Sequence, residues 1–398
     1  MTVEAVAASG LLGEDELREW VERLCAIDRP ARSAGEQQAA RLVAEGLQAA
    51  GGRVTLERER VHGTYWWPIG IPTALAALAA LRGGRTGVAL GALGAAAVAD
   101  DITVGPRLFR RMLPHSEVTN VVAEFGPPDA EDVVLFVAHH DAPRAGIVFH
   151  PELPRSLARR FPKAHAKNDT APPTMWGAVG GPALVALGSA IRSRRVRRLG
   201  GLFSFGYAAA MADIGLRATT AGANDNASGV AALVSLAHRL GADPPENTRV
   251  ILLSNGAEES LLEGMAAYAR RHFRDLPPER THVVALDLVG SPHLLLLQGE
   301  GMLGIREYPK PFLEFILSCA DELGIFVNSD LRFQNSTDAY IALKAGYDCA
   351  LLGSCDDYKF PTDYHWYTDV PERLNYRTVA DAARLCARAI ERLDAGPG

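Results

Sequence analysis

The chain has 398 residues and a formal net charge of −6 at pH 7, and 48% of its residues are hydrophobic. This length allows one large domain or two, and the acidic balance gives no support to nucleic-acid binding, for which a basic surface is expected. The five cysteines are scattered and form no CxxC pair, so a thiolate zinc site and a disulfide scaffold are both disfavoured.

The predicted elements begin with two helices and continue as strands that alternate with helices. The helices are expected at about 14–28 and from Ser33 to the Gly51–Gly52 stop, and Ser33 with Glu36 matches a capping box. Strands are predicted at 53–61, 119–125, 133–138, 249–255, 283–289 and 349–353, and amphipathic helices at 227–240, 260–273, 309–323 and 376–394. Continuous apolar strands between helices are typical of a largely parallel sheet covered on both faces. The predicted fold class is therefore α/β, with a mixed, largely parallel central sheet flanked by helices.

Two stretches, 63–116 and 151–216, interrupt this alternation. Each contains a pair of apolar segments rich in small residues, and an arginine-rich turn joins the two segments of each pair. The pairs are 65–81 with 86–99, and 174–191 with 200–216. We interpret both stretches as inserted helical hairpins, because a long structureless loop is uncommon inside a compact domain. The main domain is then expected in three parts, 1–62, 117–150 and 217–398.

The hairpins are compatible with membrane insertion through 65–99 and 174–216. Aromatic residues such as Tyr65, Trp67 and Trp176 stand at one end of the segments and arginines stand at the turns, as they do at membrane interfaces. Against insertion, the segments are shorter than the roughly 20 residues of a span, and the last one carries Asp213. The alternatives are a helical lid in water and a homo-oligomer interface packed through Gly and Ala.

The N-terminal sequence MTVEAVAASGLLGEDELREW lacks a basic segment followed by an apolar core. We therefore expect no cleavable signal peptide and a cytoplasmic or membrane-associated protein. If the hairpins insert, arginine-rich turns in the cytoplasm would place the main domain outside, which conflicts with the missing signal peptide.

The first candidate site residues lie in AHHD, residues 138–141, directly after an apolar strand, where α/β sheets bind ligands. His139 and Asp141 project to the same side of an extended backbone, so the carboxylate could orient the imidazole of a metal-bound histidine, while His140 points the other way. Taken alone, the pair is better explained as two polar residues exposed at the protein surface.

Carboxylates follow at two further turns. Asp225 lies in a polar, glycine-containing turn before an apolar helix, where it either projects toward a metal pair or, like Asn226, caps the helix. Glu258 and Glu259 follow an apolar strand, where desolvation and like charge make an adjacent pair costly without a cation. With a cation, Glu259 can bind it and leave Glu258 free as a general base. The alternative is an exposed helix start, where glutamates favour the helix dipole.

Asp287 is the most informative single residue, because it stands in an apolar strand-like run with no basic neighbour, and a buried unpaired carboxylate is costly. His365 lies in an aromatic loop near the C-terminus and indicates little by itself. Together, carboxylates and imidazoles without thiolates favour a pair of hydrolytic zinc ions over a structural zinc site. The candidate metal ligands are His139, Asp225, Glu259, Asp287 and His365.

In this order and spacing, the motifs AHHD, ANDNASG, GAEES, LDLVG and the C-terminal Tyr-His resemble the di-zinc aminopeptidase and glutamate-carboxypeptidase-like family of metallopeptidases. STDAY, residues 336–340, also resembles the Ser-Asp segment of that family. The resemblance covers about 14–62, 117–145 and 217–398 and implies a zinc-exopeptidase-like three-layer sandwich, from which the two hairpins depart.

The resemblance also implies roles for these residues. His139 and Asp287 would bind one zinc ion, Glu259 and His365 would bind the other, and Asp225 would bridge the two. Asp141 would orient His139, and Glu258 would take the proton from a metal-activated water.

The expected function is zinc-dependent hydrolysis of a peptide or aminoacyl-amide substrate. Removal of an N-terminal residue is the leading hypothesis, since no arginine cluster for a substrate carboxylate is visible. One alternative is a glutaminyl cyclase with a single zinc ion, as in relatives of this fold, although the complete ligand set favours two. The other is a non-catalytic, membrane-associated domain of the same fold, which would be expected to have lost ligands or the base.

Overall fold

A seven-stranded mixed sheet organises the chain in this computed structural model, which describes residues 10–396. Residues 1–9 and 397–398 lie outside the described part. The N-terminal segment in which we expect no signal peptide therefore lies partly outside it. The strands are β1 Arg53–Val61, β2 Ser116–Phe125, β3 Asp132–His139, β4 Thr248–Asn255, β5 Thr281–Leu286, β6 His293–Leu296 and β10 Asp348–Cys355. A small second sheet is formed by β7 Gly299–Glu300, β8 Arg306–Glu307 and β9 Arg332–Phe333.

The strand order of the large sheet is β1-β2-β4-β3-β5-β10-β6. The four central strands, β4, β3, β5 and β10, run parallel, and the pairs β1–β2, β2–β4 and β10–β6 are antiparallel. Strands β3 and β4 are buried almost throughout because helices cover both faces of the sheet. The prediction of a mixed, largely parallel sheet flanked by helices is therefore confirmed, and the parallel centre brings the carboxyl ends of β3, β4 and β5 to one edge.

The helices of the main domain form the two outer layers. In one layer, the helices pack around the helix Ser228–Ala242 and against β2, β3 and β10. The other layer packs on β1, β2 and β10. The first layer is α1 Glu14–Cys25, α2 Ala34–Ala49, α9 Ser228–Ala242, α11 Lys310–Leu323 and α13 Tyr376–Asp394, and the second is α10 Glu263–His272 and α12 Ala339–Ala345. Strand β6, the small sheet and α12 are elements that the sequence patterns did not predict.

Two local predictions need correction. Ser33 caps α2, because its hydroxyl accepts a hydrogen bond from Glu36 N at 2.9 Å. The reciprocal half of the capping box is absent, since the buried Glu36 carboxylate accepts from Thr119 N at 3.0 Å and contacts His140 Nε2 at 3.2 Å. Strand β5 ends at Leu286 rather than at 289, so Asp287 lies immediately after the strand.

The two hairpins predicted in 63–116 and 151–216 pack on each other as one four-helix bundle, in which each helix contacts two neighbours along its length. Its helices are α3 Trp66–Arg82, α4 Gly84–Ile102, α7 Trp176–Ala190 and α8 Arg194–Leu216. Two short helices, α5 Glu152–Arg160 and α6 Pro162–Lys167, precede α7 and were not predicted. Among the described helices, Arg194–Leu216 is the one that is long and apolar enough to cross a membrane by length and composition.

Candidate metal centre

The structure brings the five candidate metal ligands together at the carboxyl edge of the parallel strands. His139 is the last residue of β3, Glu259 lies in the turn after β4, and Asp287 directly follows β5. Asp225 comes from the turn before α9, and His365 comes from the loop between β10 and α13. All five side chains are nearly inaccessible to solvent. The convergence follows from the parallel strand order, because neighbouring parallel strands end at the same edge of a sheet.

Asp225 lies at the centre of this group and faces a different histidine with each carboxylate oxygen. Its Oδ1 lies 3.3 Å from His139 Nε2, and its Oδ2 lies 3.2 Å from His365 Nε2. Asp287 Oδ1 is 3.5 Å from His139 Nε2, and Glu259 Oε2 is 3.3 Å from His365 Nε2. Each histidine therefore lies against two carboxylates, and Asp225 is shared by both histidines. The ligand atoms of His139, Asp225 and Glu259 also lie within 4.8 Å of one another.

These distances fit zinc better than they fit hydrogen bonds. Two ligands of a tetrahedral zinc ion, at bond lengths of about 2.0–2.2 Å, lie about 3.3–3.5 Å apart, whereas a good N–H···O hydrogen bond is about 2.9–3.0 Å long. In addition, His139 Nε2, Asp287 Oδ1 and Glu259 Oε1 are buried and have no hydrogen-bond partner of ordinary geometry. Buried polar atoms without partners are rare in proteins, and a bound cation would account for all three at once.

The electrostatics of the group also require positive charge. Burial raises the pKa of Glu258 and of Glu259 well above their usual values, and neighbouring carboxylates raise both further. Burial likewise raises the pKa of Asp287. Burial lowers the pKa of His139, but the carboxylates of Asp141, Asp225 and Asp287 outweigh this and raise it well above its usual value. Buried carboxylates outnumber the histidines here, and divalent cations would neutralise the excess.

The comparison with known proteins agrees with the family resemblance of the motifs. Residues 207–390, just under half of the chain, match the model of peptidase family M28. This match and the fold support a zinc aminopeptidase-like metallopeptidase. A search of curated protein sequences gives no match.

Solved structures similar to this chain have the same fold at low sequence identity. A Zn-dependent exopeptidase from Parabacteroides distasonis is 15% identical, with a TM-score of 0.56 over 95% of this chain and 97% of that one. BSAP, a zinc aminopeptidase from Bacillus subtilis, is 15% identical, with a TM-score of 0.56 over 96% and 95%. A glutaminyl cyclase from Bacteroides thetaiotaomicron, solved with N-acetylhistamine, is 13% identical, with a TM-score of 0.57 over 96% and 98%. These similarities show the zinc-exopeptidase-like fold.

Asp141 fixes the turn that carries the two glutamates. Its Oδ1 accepts a hydrogen bond from Glu258 N at 3.1 Å, and its Oδ2 accepts one from Glu259 N at 3.2 Å. His139 Nδ1 is 3.5 Å from Asp141 Oδ1 and 3.2 Å from the main-chain oxygen of the same residue. The structure thus gives Asp141 contacts with both glutamates as well as with the histidine.

The turn after β4 has an unusual backbone. Ala257, Leu261 and Leu262 have φ values of 60°, 65° and 63°, which lie in the left-handed region that non-glycine residues rarely adopt. Between them, Glu258 and Glu259 lie in a short 3-10 turn, so the predicted alternative of an exposed helix start is wrong for this pair. Strained residues of this kind concentrate at functional sites, where the surrounding contacts hold them in place.

The sequence left two roles open in the turn before α9, a helix cap and a carboxylate that faces a metal. The structure shows that Asn226 and Asp225 differ in this respect. Asn226 caps the helix, because its Oδ1 accepts from Gly229 N at 3.0 Å. Asp225 makes no such bond and points into the metal centre. Its main-chain N–H donates to Asp369 Oδ2 at 3.1 Å, and Asn224 N donates to Asp369 Oδ1 at 2.6 Å. Asp369 is buried, which raises the pKa of its carboxyl to about 8.

Sequence reasoning missed several residues around the centre. Besides Asp369, they include Tyr65, whose buried hydroxyl has no partner and whose pKa is raised by burial and by the carboxylates of Glu259 and Asp225. We interpreted Tyr65 only as a membrane-interface residue, although it lies at the metal centre. Asp338, in the STDAY segment, is buried near Asp287, and burial raises its pKa to about 7. The family resemblance was the one signal that indicated that segment.

Proposed function

We propose that this metallopeptidase removes the N-terminal residue of peptides, with two zinc ions at the metal centre and Glu258 as the general base. The observation that carries the proposal is the position of Asp225, whose two oxygens face two separate His–carboxylate groups. His139, Asp287 and one oxygen of Asp225 would hold one ion. His365, Glu259 and the other oxygen would hold the second.

Zinc at such a centre supplies a water of lowered pKa and polarises the carbonyl that is attacked. The remaining chemistry belongs to the side chains. Glu258 Oε2 lies 3.9 Å from His139 Nε2, and with 12% of its side chain exposed Glu258 is more accessible than any of the five ligands. It can therefore accept the proton of the attacking water and deliver it to the leaving amine, which is the role of a general base and acid.

The charge of the site supports an amino-terminal substrate. Among the described residues, no lysine or arginine forms an ion pair with Asp141, Asp225, Glu258, Glu259 or Asp287. With two zinc ions bound, the five carboxylates still exceed the cations by about one charge, so a substrate carboxylate would find no side-chain cation to pair with, whereas the ammonium of an N-terminal residue would be attracted. The contact of Phe149 with His365, at 4.6 Å between ring centroids, also encloses one side of the centre.

A glutaminyl cyclase is the second candidate, because a cyclase structure shares the fold over nearly the full length of both chains. A cyclase with one zinc ion would leave part of the ligand set without a function. Here all five ligands and Glu258 are present and contact one another. The complete set favours hydrolysis.

The experiment compares wild type, Glu258→Gln and Glu314→Gln, an exposed glutamate on α11 that serves as the control. We expect about two zinc ions per chain in all three proteins. Loss of the base should lower the rate on aminoacyl-amide substrates about 10²–10⁴-fold in Glu258→Gln alone.

Full activity of Glu258→Gln, or wild-type protein that holds no zinc, would refute the mechanism. One zinc ion per chain, together with cyclisation of an N-terminal glutamine substrate, would favour the cyclase instead.

A further inference from the structure

We propose that the four-helix bundle is embedded in a lipid bilayer, with its arginine-rich turns on the cytoplasmic side and the metal centre at the opposite membrane surface. The bundle consists of α3, α4, α7 and α8. We call the end with the turns at 82–85 and 192–198 its distal end, and the end that joins the main domain its root. The proposal concerns the partner of this surface and does not depend on the reaction at the metal centre.

The bundle places small residues inside and large apolar residues outside. Its interior contains glycines packed against main-chain atoms: a Cβ at Gly91 would lie 2.6 Å from Ala186 N, and a Cβ at Gly200 would lie 2.6 Å from Val185 N. The main domain has the opposite arrangement, with Val, Leu, Ile and Phe in its core. Helices that pack through small residues and turn large apolar side chains outward are typical of membrane proteins, in which lipid takes the place of water.

The outward apolar residues occur on all four helices. Leu78 on α3, Leu93 on α4, Leu187 on α7 and Phe205 on α8 are each at least half exposed. A second copy of the chain would cover one side of the bundle, whereas these residues surround it. Soluble monomers rarely expose apolar patches of more than a few hundred Å², so a continuous apolar partner fits this surface better than a dimer interface.

Charge is absent from the middle of the bundle. The stretches 67–81, 86–99, 176–191 and 199–212 contain no Asp, Glu, Lys or Arg. At 1.5 Å per residue they are about 21–24 Å long, somewhat less than the hydrocarbon thickness of about 30 Å. Arginine stems that reach toward the interface, and local thinning of the bilayer, compensate for a difference of this size.

The two ends of the bundle differ in charge. The distal turns RGGR and RSRRVRR contain seven arginines and no acidic residue, and the two turns are adjacent, since a Cβ at Gly83 would contact the Arg197 guanidinium. The acidic residues of the helices, Asp100, Asp101 and Asp213, are all at the root. Trp67 and Trp176 are also at the root, where they are exposed. Arginines on one side and tryptophans at the other boundary indicate an orientation with the distal turns in the cytoplasm.

The root of the bundle packs on the main domain next to the metal centre, which brings that centre to the membrane surface. Tyr65 directly precedes α3 and belongs to an apolar cluster that contains Ile69 and Met211 of the bundle together with Met302 of the main domain. Arg110 also links the two parts, because it donates to Asp101 of α4 at 2.7 and 2.8 Å and to Glu263 of α10 at 2.8 Å. The centre therefore lies next to the root rather than on a remote face.

The first test is fractionation of bacterial cells that express the full chain. We expect the protein to stay in the membrane fraction after an alkaline carbonate wash and to be released by detergent. Protein in the soluble fraction, or released by carbonate, overturns the proposal, whether it is a monomer or an oligomer.

A matched pair of variants tests whether the bundle surface itself contacts lipid. Leu78 on the bundle and Leu56 on β1 are exposed leucines, at 59% and 48%. Leu78→Arg should reduce the membrane-integrated fraction several-fold, and Leu56→Arg should leave it unchanged, because an arginine is costly only where it meets hydrocarbon. Equal membrane fractions for the two variants would contradict the proposal.

Cysteine labelling tests the orientation without disturbing the apolar surface. The variants are treated with an impermeant maleimide in spheroplasts. Leu56→Cys should react in intact spheroplasts, and Arg195→Cys should react only after permeabilisation. The reaction of the native cysteines in wild type gives the background. Reaction of both cysteines, or of neither, in intact spheroplasts overturns the proposal by placing both positions on one side. The inverse pattern overturns the orientation.

Discussion

Asp141→Asn should lower zinc affinity and activity by loosening the turn that carries the two glutamates. The two carboxylate oxygens of Asp141 accept hydrogen bonds from Glu258 N at 3.1 Å and from Glu259 N at 3.2 Å. An asparagine keeps one acceptor oxygen and turns an amide N–H₂ toward the other main-chain N–H. One charge-assisted bond, worth about 1.5–3 kcal/mol, is lost and a repulsive contact between two donors replaces it. Because Ala257 and Leu261 hold strained conformations on either side, the turn should relax and displace Glu259.

The expected loss is about 10–100-fold in zinc affinity, which corresponds to about 1.4–2.8 kcal/mol and is typical for groups that support metal ligands. Competition with a chelator measures the affinity, and turnover of an aminoacyl amide at saturating zinc measures the activity. Asp348→Asn, at an exposed aspartate at the start of β10, is the control. Wild-type zinc affinity and rate in Asp141→Asn would refute the argument that this carboxylate positions the glutamate turn.

Two further predictions concern buried acids outside the ligand set. Arg110→Met leaves Asp101 and Glu263 buried without their cation and should lower the free energy of unfolding by about 3–5 kcal/mol. At this chain length the loss corresponds to about 4–6 °C in Tm, and a Tm within 1 °C of wild type in a thermal melt would contradict the estimate. Burial raises the pKa of Glu300 from 4.5 to about 8, so the folded zinc-free protein keeps a proton that the unfolded chain releases above pH 4.5. The free energy of unfolding therefore falls as pH rises from about 4.5 to 8, by roughly 3–5 kcal/mol from this group, and urea titrations should show that Glu300→Gln removes this decrease.

Most of the candidate metal ligands could be picked out in the sequence because they interrupt strong apolar patterns. Asp287 follows five buried strand residues, and His139 ends a strand that is buried except at its first residue. Polar groups at such positions need partners, and parallel strands bring them to one edge. The same reasoning applied to Glu259, which follows β4. His365 lacked such a pattern and could be assigned only through the family resemblance.

Contacts between residues far apart in the chain could not be predicted from local patterns. The spacing of Ser33 and Glu36 fits a capping box, yet the Glu36 carboxylate accepts from Thr119 N, 83 positions away. Asp369 holds the Asp225 turn from 144 positions away. In both cases a local motif was compatible with several partners, and the tertiary fold selected one that no short-range spacing encodes.

The contacts of the two hairpins could not be predicted from local patterns either, and these contacts bear on function. Their apolar and arginine-rich segments predicted two helical hairpins, but a hydropathy pattern does not say which face of each helix meets another helix. Once the four helices pack together, glycines such as Gly91 define the inside and leucines such as Leu93 define the outside. The same packing brings Tyr65, which the sequence suggested only as an interfacial aromatic, close enough to Glu259 and Asp225 for their carboxylates to raise the pKa of its hydroxyl. The two hairpins therefore belong to the environment of the candidate metal centre, so substitutions at the root of the bundle should affect catalysis.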